Sequence, residues 1–403
     1  MSRRFVAALL GILVTAGILA TAGCSAFSEV GSGRAARCTA PDGLALVVGV
    51  HRGVPAPPPA DDLTPALKCA ITETIRAERP VRLVLAGGHP RVISPDFESV
   101  KDGTLAEQGS NWVQDNMRKL NAEVARARPD APGVDALEAL AVAADALRSA
   151  GSERPELVLV DAGLNDHGAL DFTVPGMLAA DPSETAEAMR DSGNLPKKLR
   201  GTTVNLVGLG FTAPPQQELG DRWRSNLTDI YKEVLRAAGA QVTTTPRPTQ
   251  GSSVHTPHTV KVARVPRTEP IEPEPGDTIV FRGDSQVRFE PNSLEFVDEK
   301  AAIRALEPIA QWLSADRSRH ARLVGTTADV DLMSRQVRFS RQRADRVADL
   351  LIELGASARQ LSTRGVGSAF PAYVPDHDAA GNLLSAPAAL NRSVRIALSG
   401  PQQ

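Results

Sequence analysis

Aromatic residues make up only 4% of this 403-residue chain, with two tyrosines and three tryptophans among them. So few rings argue against a surface that stacks bases or sugars. Charge of one sign is also missing: 45 Lys and Arg against 47 Asp and Glu leave a net −2. Nothing electrostatic therefore points to nucleic acid. There is no glycine-rich phosphate loop and no nucleophile elbow, so an enzyme reading lacks a residue to carry it. The apolar run over residues 5–20 is too short for a spanning helix and has no charged stop-transfer flank. Cysteine is scarce as well, at three residues. What remains is an ordinary globular composition, 42% hydrophobic, long enough for two domains.

Met1-Ser2-Arg3-Arg4 is a basic head, and Thr21-Ala22-Gly23-Cys24 closes the apolar run with small residues. This predicts a secretory signal over 1–23. Its ending resembles a lipobox, which implies that Cys24 is diacylated and anchors the protein to a membrane surface without spanning it. An ordinary cleaved signal or an uncleaved anchor is the alternative. Residues 24–37 are small and polar and read as a flexible tether. With Cys24 set aside, Cys38 and Cys69 remain. An even pair in an exported chain favours a disulfide, here stapling a first strand to its following helix, over two buried free thiols.

Residues 44–50, 81–86, 157–160 and 204–210 are continuous apolar runs, the signature of parallel strands buried on both faces. Between them 63–77, 136–148 and 223–237 read as helices, and Leu137, Leu140, Ala144 and Leu147 form an apolar stripe in the second. These alternating elements predict an α/β doubly wound domain over 38–265, with 260–265 as its last edge strand. Pro266, Pro270, Pro273 and Pro275 mark 266–277 as a proline-rich linker. Over 278–403 the expected order is a strand at 287–290, a helix carrying Ile303, Leu306, Ile309 and Leu313, and a strand at 322–325. A long helix carrying Val337, Ala344, Val347, Leu351 and Leu354 follows, closed by Gly355, and strands at 360–364 and 393–398 end the chain. That is an α+β domain in βαβαββ order.

Four groups in this last region stand in order: Gly325-Thr326-Thr327, Ser340-Arg341-Gln342-Arg343-Ala344, Gly365-Val366-Gly367 and Asn391-Arg392-Ser393-Val394. Together they resemble the OmpA-like C-terminal domain, which holds envelope proteins to peptidoglycan without a covalent bond. The resemblance implies a clamp on the diaminopimelate side chain of the stem peptide. That side chain ends in an ammonium and a carboxylate, so the clamp needs an acid and a base. Arg suits the carboxylate because its planar fork can bind both oxygens. Arg343 falls at the family's arginine. Counting back places Ala328 at the family's aspartate and Thr326 at its histidine, with Asp329 one residue further on. Either Asp329 takes the acid's role or the ammonium contact is missing. Gln336 stands where the family has a helix asparagine. The peptidoglycan-binding set implied is Arg343, Asp329, Thr327, Gln336, Asn391 and Arg392. Two plainer readings stay open: Arg343 as a helix-surface salt bridge to Asp345 or Asp329, and Asn391-Arg392 as a pin for the last strand.

The order of runs in the first domain is loosely similar to a von Willebrand factor A domain. Such domains often hold a metal through Asp-x-Ser-x-Ser after the first strand. Here that position reads Gly49-Val50-His51-Arg52-Gly53, and a basic Arg52 opposes a hard cation. No metal and no other cofactor is expected. Asp161, Asn165, Asp166 and His167 follow a strand end, where α/β ligand sites form, and read either as a hydrolase or metal-dependent site or as a polar turn. His255 and His258 have metal-capable spacing but no third ligand nearby. The whole predicts a non-enzymatic, lipid-anchored protein of the cell membrane or outer membrane, facing the wall. It would bind diaminopimelate-type stem peptides and present its first domain to an unknown protein partner. The alternative is a protein-interaction module with a degenerate pocket.

Overall fold

Four of the continuous apolar runs become the middle of a six-stranded sheet. In the computed structural model, which describes residues 38–99, 106–246, 252–266 and 270–401, the strands are β1 (Leu44–Gly49), β2 (Val81–Ala86), β3 (Arg91–Ile93), β4 (Glu156–Val160), β5 (Thr203–Val207) and β6 (Gln241–Thr245). The expected signal segment, tether and lipidated Cys24 lie outside the described residues. Strand order is β3-β2-β1-β4-β5-β6, and only β3 runs antiparallel to its neighbour. Such strands are apolar without alternation because helices cover both faces. Helices α1 (Pro65–Arg76) and α2 (Ala106–Arg126) enclose Leu44, Leu46 and Val48 on one side. Helices α3 (Ala136–Ser149), α4 (Pro182–Asp191) and α5 (Asp221–Ala237) enclose Ala45 and Val47 on the other. Each buried Leu or Val contributes roughly 1.5–3 kcal/mol by leaving water. This is the doubly wound α/β architecture expected. Cys38 and Cys69 are bonded across 31 residues, tying the entry to β1 onto α1, with a loop-closure contribution of about 3 kcal/mol.

One element of this layer needs correction. Residues 260–265 are not a strand, and the sheet edge is β6, paired in parallel with β5. The backbone of 260–265 is claimed by side chains instead: Lys261 N donates to Asp166 Oδ2 at 2.9 Å and Ala263 N to Gln216 Oε1 at 2.8 Å. With its amides taken locally, the segment cannot supply a ladder.

The second sheet comprises β7 (Thr278–Phe281), β8 (His320–Thr326), β9 (Leu361–Gly365) and β10 (Ser393–Ser399), in the order β7-β10-β8-β9. β8 and β9 are parallel and the other pairs antiparallel. Helices α6 (Glu299–Ala315) and α7 (Met333–Glu353) bury Leu306, Ile309, Leu313, Val347 and Leu351 against it. The short helix α8 (Ser385–Asn391) leads into β10. The expected strand at 287–290 is displaced: the first strand is β7, and Phe289 forms only an isolated bridge to Phe296, their rings stacked at 4.8 Å. Phe281 stands opposite Val394, so β7 already fills that edge of β10. Gly325 earns its place by contact rather than by turn geometry. A Cβ there would lie 1.8 Å from the Ser340 carbonyl oxygen, so only glycine lets α7 lie this close on β8.

Residues from 38 onward cluster as one compact unit, and the two sheets meet through α4, α8 and the turn Met177–Ala179. At Gly176, φ is 94° and a Cβ would sit 2.3 Å from the Ala386 carbonyl oxygen. No other residue would let these two backbones meet so closely.

Candidate functional site

A cleft of about 570 Å³ opens where the two sheets meet, lined by α4 and the start of α5 on one side and by 281–298, α7 and the start of β10 on the other. Arg343 enters it from α7 and is only 7% exposed. Its Nε donates to Ser293 O at 3.2 Å and its Nη2 to Glu290 O at 3.1 Å. The guanidinium also lies over the rings of Phe289 (5.0 Å) and Phe339 (4.5 Å). Two nitrogens are thus spent on holding the 290–293 turn, and Nη1 makes no hydrogen bond among the described residues. Burial brings the Arg343 pKa down to about 10; the Arg392 charge pushes the same way and Glu184 opposes it. The group stays charged at neutral pH, fixed in orientation and stripped of much of its hydration, as an oxyanion-binding arginine should be. Neither Asp345 nor Asp329 pairs with it; Asp345 takes Arg341 at 3.8 Å instead.

The structure brings Thr327, Arg343 and Arg392 to this cleft and sets Asp329, Gln336 and Asn391 outside its lining. Thr327 is 6% exposed, and its Oγ1 is buried without a hydrogen-bond partner. Ala328 is fully buried at 0% exposure. Asp329 is exposed, its Oδ1 accepting from Gln336 Nε2 at 2.7 Å and from Ser368 Oγ at 3.4 Å. Gln336 also donates to Asp331 O at 2.6 Å and accepts from Ser368 N at 3.0 Å, which ties the start of α7 to the turn after β9. Asn391 donates to Val374 O (2.7 Å) and Asp376 Oδ2 (2.9 Å) and accepts from Val374 N (2.9 Å). The same Asp376 oxygen accepts from Asp329 N at 3.0 Å, so Asn391 pins the end of α8 to the loop after β8. Thr326 Oγ1 completes that pin by donating to Asn391 O at 2.5 Å. Arg392 reaches the other way and pairs with Glu184 of α4 at 2.6 Å.

Asp161, Asn165, Asp166 and His167 gather at the carboxyl ends of β1 and β4, where the strand order reverses and doubly wound sheets bind ligands. Here His51 from the end of β1 fills that point. Its Nδ1 faces Arg52 O at 2.8 Å and its Nε2 faces Asp161 Oδ2 at 3.0 Å. Both partners are acceptors, so the ring carries both protons. Burial works against the charged ring, but Asp161 outweighs it and the pKa is raised. Asp161 Oδ1 accepts from Gly163 N at 2.5 Å. Asp166 Oδ1 accepts from Val134 N and His167 Nδ1, both at 2.8 Å, in addition to the Lys261 bond at Oδ2. Burial pushes the Asp166 carboxyl up, yet these donors more than offset it and its pKa is lowered. Asn165 Oδ1 accepts from Ala136 N at 2.8 Å and Tyr231 OH at 3.3 Å. The cluster is arranged as loop-fixing acceptors, and among the described residues no group of three His, Cys, Asp or Glu could hold a metal. His255 is exposed and His258 half-buried in the loop before 260.

Sequence reasoning missed Glu184, Arg222 and Arg288, which line the cleft beside Arg343. Arg222 and Glu184 come from elements distant in sequence, and no spacing rule connects them to α7.

Residues 288–380 match the OmpA family. The probable lipoprotein YiaD of Escherichia coli (strain K12) is 31% identical over 124 residues, 31% of this chain and 52% of that protein. The chain thus spans about half the length of this curated relative. The crystal structure of the peptidoglycan-associated lipoprotein from Burkholderia pseudomallei aligns at 23% identity, covering 28% of this chain and 86% of that one, with a TM-score of 0.24. A periplasmic domain of Helicobacter pylori MotB aligns at 23% identity over 33% of this chain and 88% of its own, with a TM-score of 0.26. The chain carries an OmpA family domain over residues 288–380.

Proposed function

We propose that this protein is an exported, lipid-anchored component of the cell envelope that grips peptidoglycan without a covalent bond, with Arg343 as its carboxylate ligand. One observation carries the reading. Within the stretch that matches the OmpA family, Arg343 is held rigid by two backbone carbonyls and two rings, with Nη1 left for a partner. Thr327 and Arg392 stand beside it as further donors. The likeness to a probable lipoprotein supports an anchor at Cys24 and a place facing the wall. The six-stranded layer, von Willebrand A-like in its order of runs, serves as a scaffold for a protein partner, and no reaction is catalysed. Asp329 has its carboxylate engaged by Gln336 away from the cleft lining, so the grip on the stem peptide is chiefly on its carboxylate.

Co-sedimentation of residues 38–403 with isolated sacculi tests this. Arg343→Ala should weaken binding by about tenfold to a hundredfold, the worth of a lost charge-assisted contact. Asp329→Ala should change it by about twofold at most, since it removes no cleft-lining group. Wild-type protein that stays in the supernatant would sink the wall reading. A second reading, a protein-interaction module with a degenerate pocket, is favoured by the buried Ala328 at the acid position and by the Glu184 carboxylate already seated on Arg392.

A further inference from the structure

Seven buried side-chain polar atoms among the described residues lack a hydrogen-bond partner. Five of them, Glu184 Oε2, Arg222 Nε, Arg222 Nη2, Arg288 Nε and Thr327 Oγ1, belong to side chains that line the one cleft between the sheets. Folded proteins satisfy nearly all such atoms, so their concentration in one place calls for a cause. Arg222 and Arg288 stand out because an unpaired cation is the costliest group to withdraw from water. Neither is ion-paired among the described residues. Asp284 and Asp298 act on Arg222, and Glu290 on Arg288, only from beyond ion-pair distance, and Asp298 Oδ1 is engaged as the cap of α6, accepting from Ala301 N at 2.9 Å. The Arg222 guanidinium lies 4.1 Å over the Trp223 ring, which holds its plane but supplies no acceptor. Burial lowers the Arg222 pKa to about 10 and the neighbouring Arg288 charge adds to the drop, so the two like charges stand within each other's field. Both side chains line the cleft, so an anion held there can compensate the pair.

We propose that Arg222 of the six-stranded layer and Arg288 of the four-stranded layer form an oxyanion subsite, separate from Arg343, that takes a carboxylate or phosphate group of the bound polymer. An anion between them would hold the two layers together through one ligand, since each contributes one arm. Arg343 and this pair line the same cleft, so an extended ligand with two anionic groups can engage both. The inference rests on the wall-binding reading only for the source of the anion. A phosphate-bearing envelope polymer and the carboxylates of a stem peptide are the two sources of this chemistry.

The test follows the thermal midpoint of residues 38–403 against increasing inorganic phosphate and, separately, acetate, at constant ionic strength made up with sodium chloride. Binding to the folded state should raise the midpoint with concentration. Arg222→Gln and Arg288→Gln should each raise the dissociation constant for the effective anion about tenfold. Arg222→Lys, which keeps the charge and loses the fork, should fall between. A stronger response to phosphate assigns the subsite to a phosphate polymer, and a stronger response to acetate assigns it to stem-peptide carboxylates. Equal responses in wild type and all three variants, or none in wild type, would overturn the subsite even where sacculi bind. A response that depends on Arg222 in protein that fails to sediment with sacculi would keep the subsite and remove only the wall reading.

Discussion

The end of the six-stranded sheet and the cleft beside it hold similar sets of charged and polar side chains, yet they are arranged in opposite ways. At the sheet end, His51 is paired with Asp161, and Asp166 gathers Val134 N, Lys261 N and His167. Asn165 Nδ2 is the one side-chain atom there left over. In the cleft, Arg222, Arg288, Glu184 and Thr327 each keep a buried atom without a partner. A charged cluster is therefore no sign of function by itself. Where acids meet backbone amides inside one layer they fix loops. Where unlike elements approach, polar atoms are left over that the described residues do not complete.

The widest gap between the two regions should open at Asp166. Asp166→Ala removes the acceptor of two backbone amides, Val134 N and Lys261 N, in a site that admits little water. Two amides stranded in this way predict a loss of about 3 kcal/mol. Urea unfolding should show it as a lower midpoint at unchanged slope. Asp166→Asn keeps one acceptor and should lose about half as much. A neutral Asp166→Ala would break the contrast, because the sheet end would then be no more structural than the cleft.

A smaller effect belongs to His51, and its sign is fixed by the raised pKa. The charged ring is stabilised in the fold, so its contribution is fully present below the ordinary histidine value of 6.5 and fades as pH rises through the higher folded value. As pH rises from about 6 past that raised value, unfolding free energy should fall. Unfolding free energies taken across that range, with His51→Gln as control, check it. The variant should show no slope attributable to this site. An unchanged slope in the variant would mean that Asp161 is not held by an imidazolium.

Much of the sheet end was legible in the sequence and little of the cleft was, for a physical reason. β1, β2, β4 and β5 announce themselves because strands covered on both faces need unbroken apolar runs. The edge at β6 does not: Gln241-Val242-Thr243-Thr244-Thr245 is largely solvated and carries no apolar run, whereas the more apolar 260–265 reads as strand. What decides between them is Asp166 and Gln216 taking the amides of Lys261 and Ala263, a tertiary fact. In the same way 287–290 looks like a strand, but β7 already occupies the free edge of β10. Arg343 could be found because a motif surrounds it. Arg222 and Arg288 could not, since each is one arginine among many until Gly176 lets α8 approach and the two layers meet.

The smallest expected effect is the most telling one. Arg222→Gln removes a guanidinium with two buried unpartnered nitrogens, so a count of buried polar groups would suggest a large change. The stability of the ligand-free protein should instead stay within about 0.5 kcal/mol of wild type. The stack on Trp223 is lost, roughly 0.5–1 kcal/mol. Against this, an uncompensated buried charge is relieved and its repulsion with Arg288 disappears, a gain of similar size. Lowering the salt should move the balance toward the variant, because repulsion between the two arginines is then less screened. Unfolding in phosphate-free buffer at two ionic strengths reads this directly. A loss of about 2 kcal/mol or more would mean that Asp284 or Asp298 already pairs with Arg222 in solution, and the cleft would then be as internally satisfied as the sheet end. Near-neutrality beside a costly Asp166→Ala would show that a nearly fully buried acid serves the fold, whereas a half-buried arginine in the cleft does not.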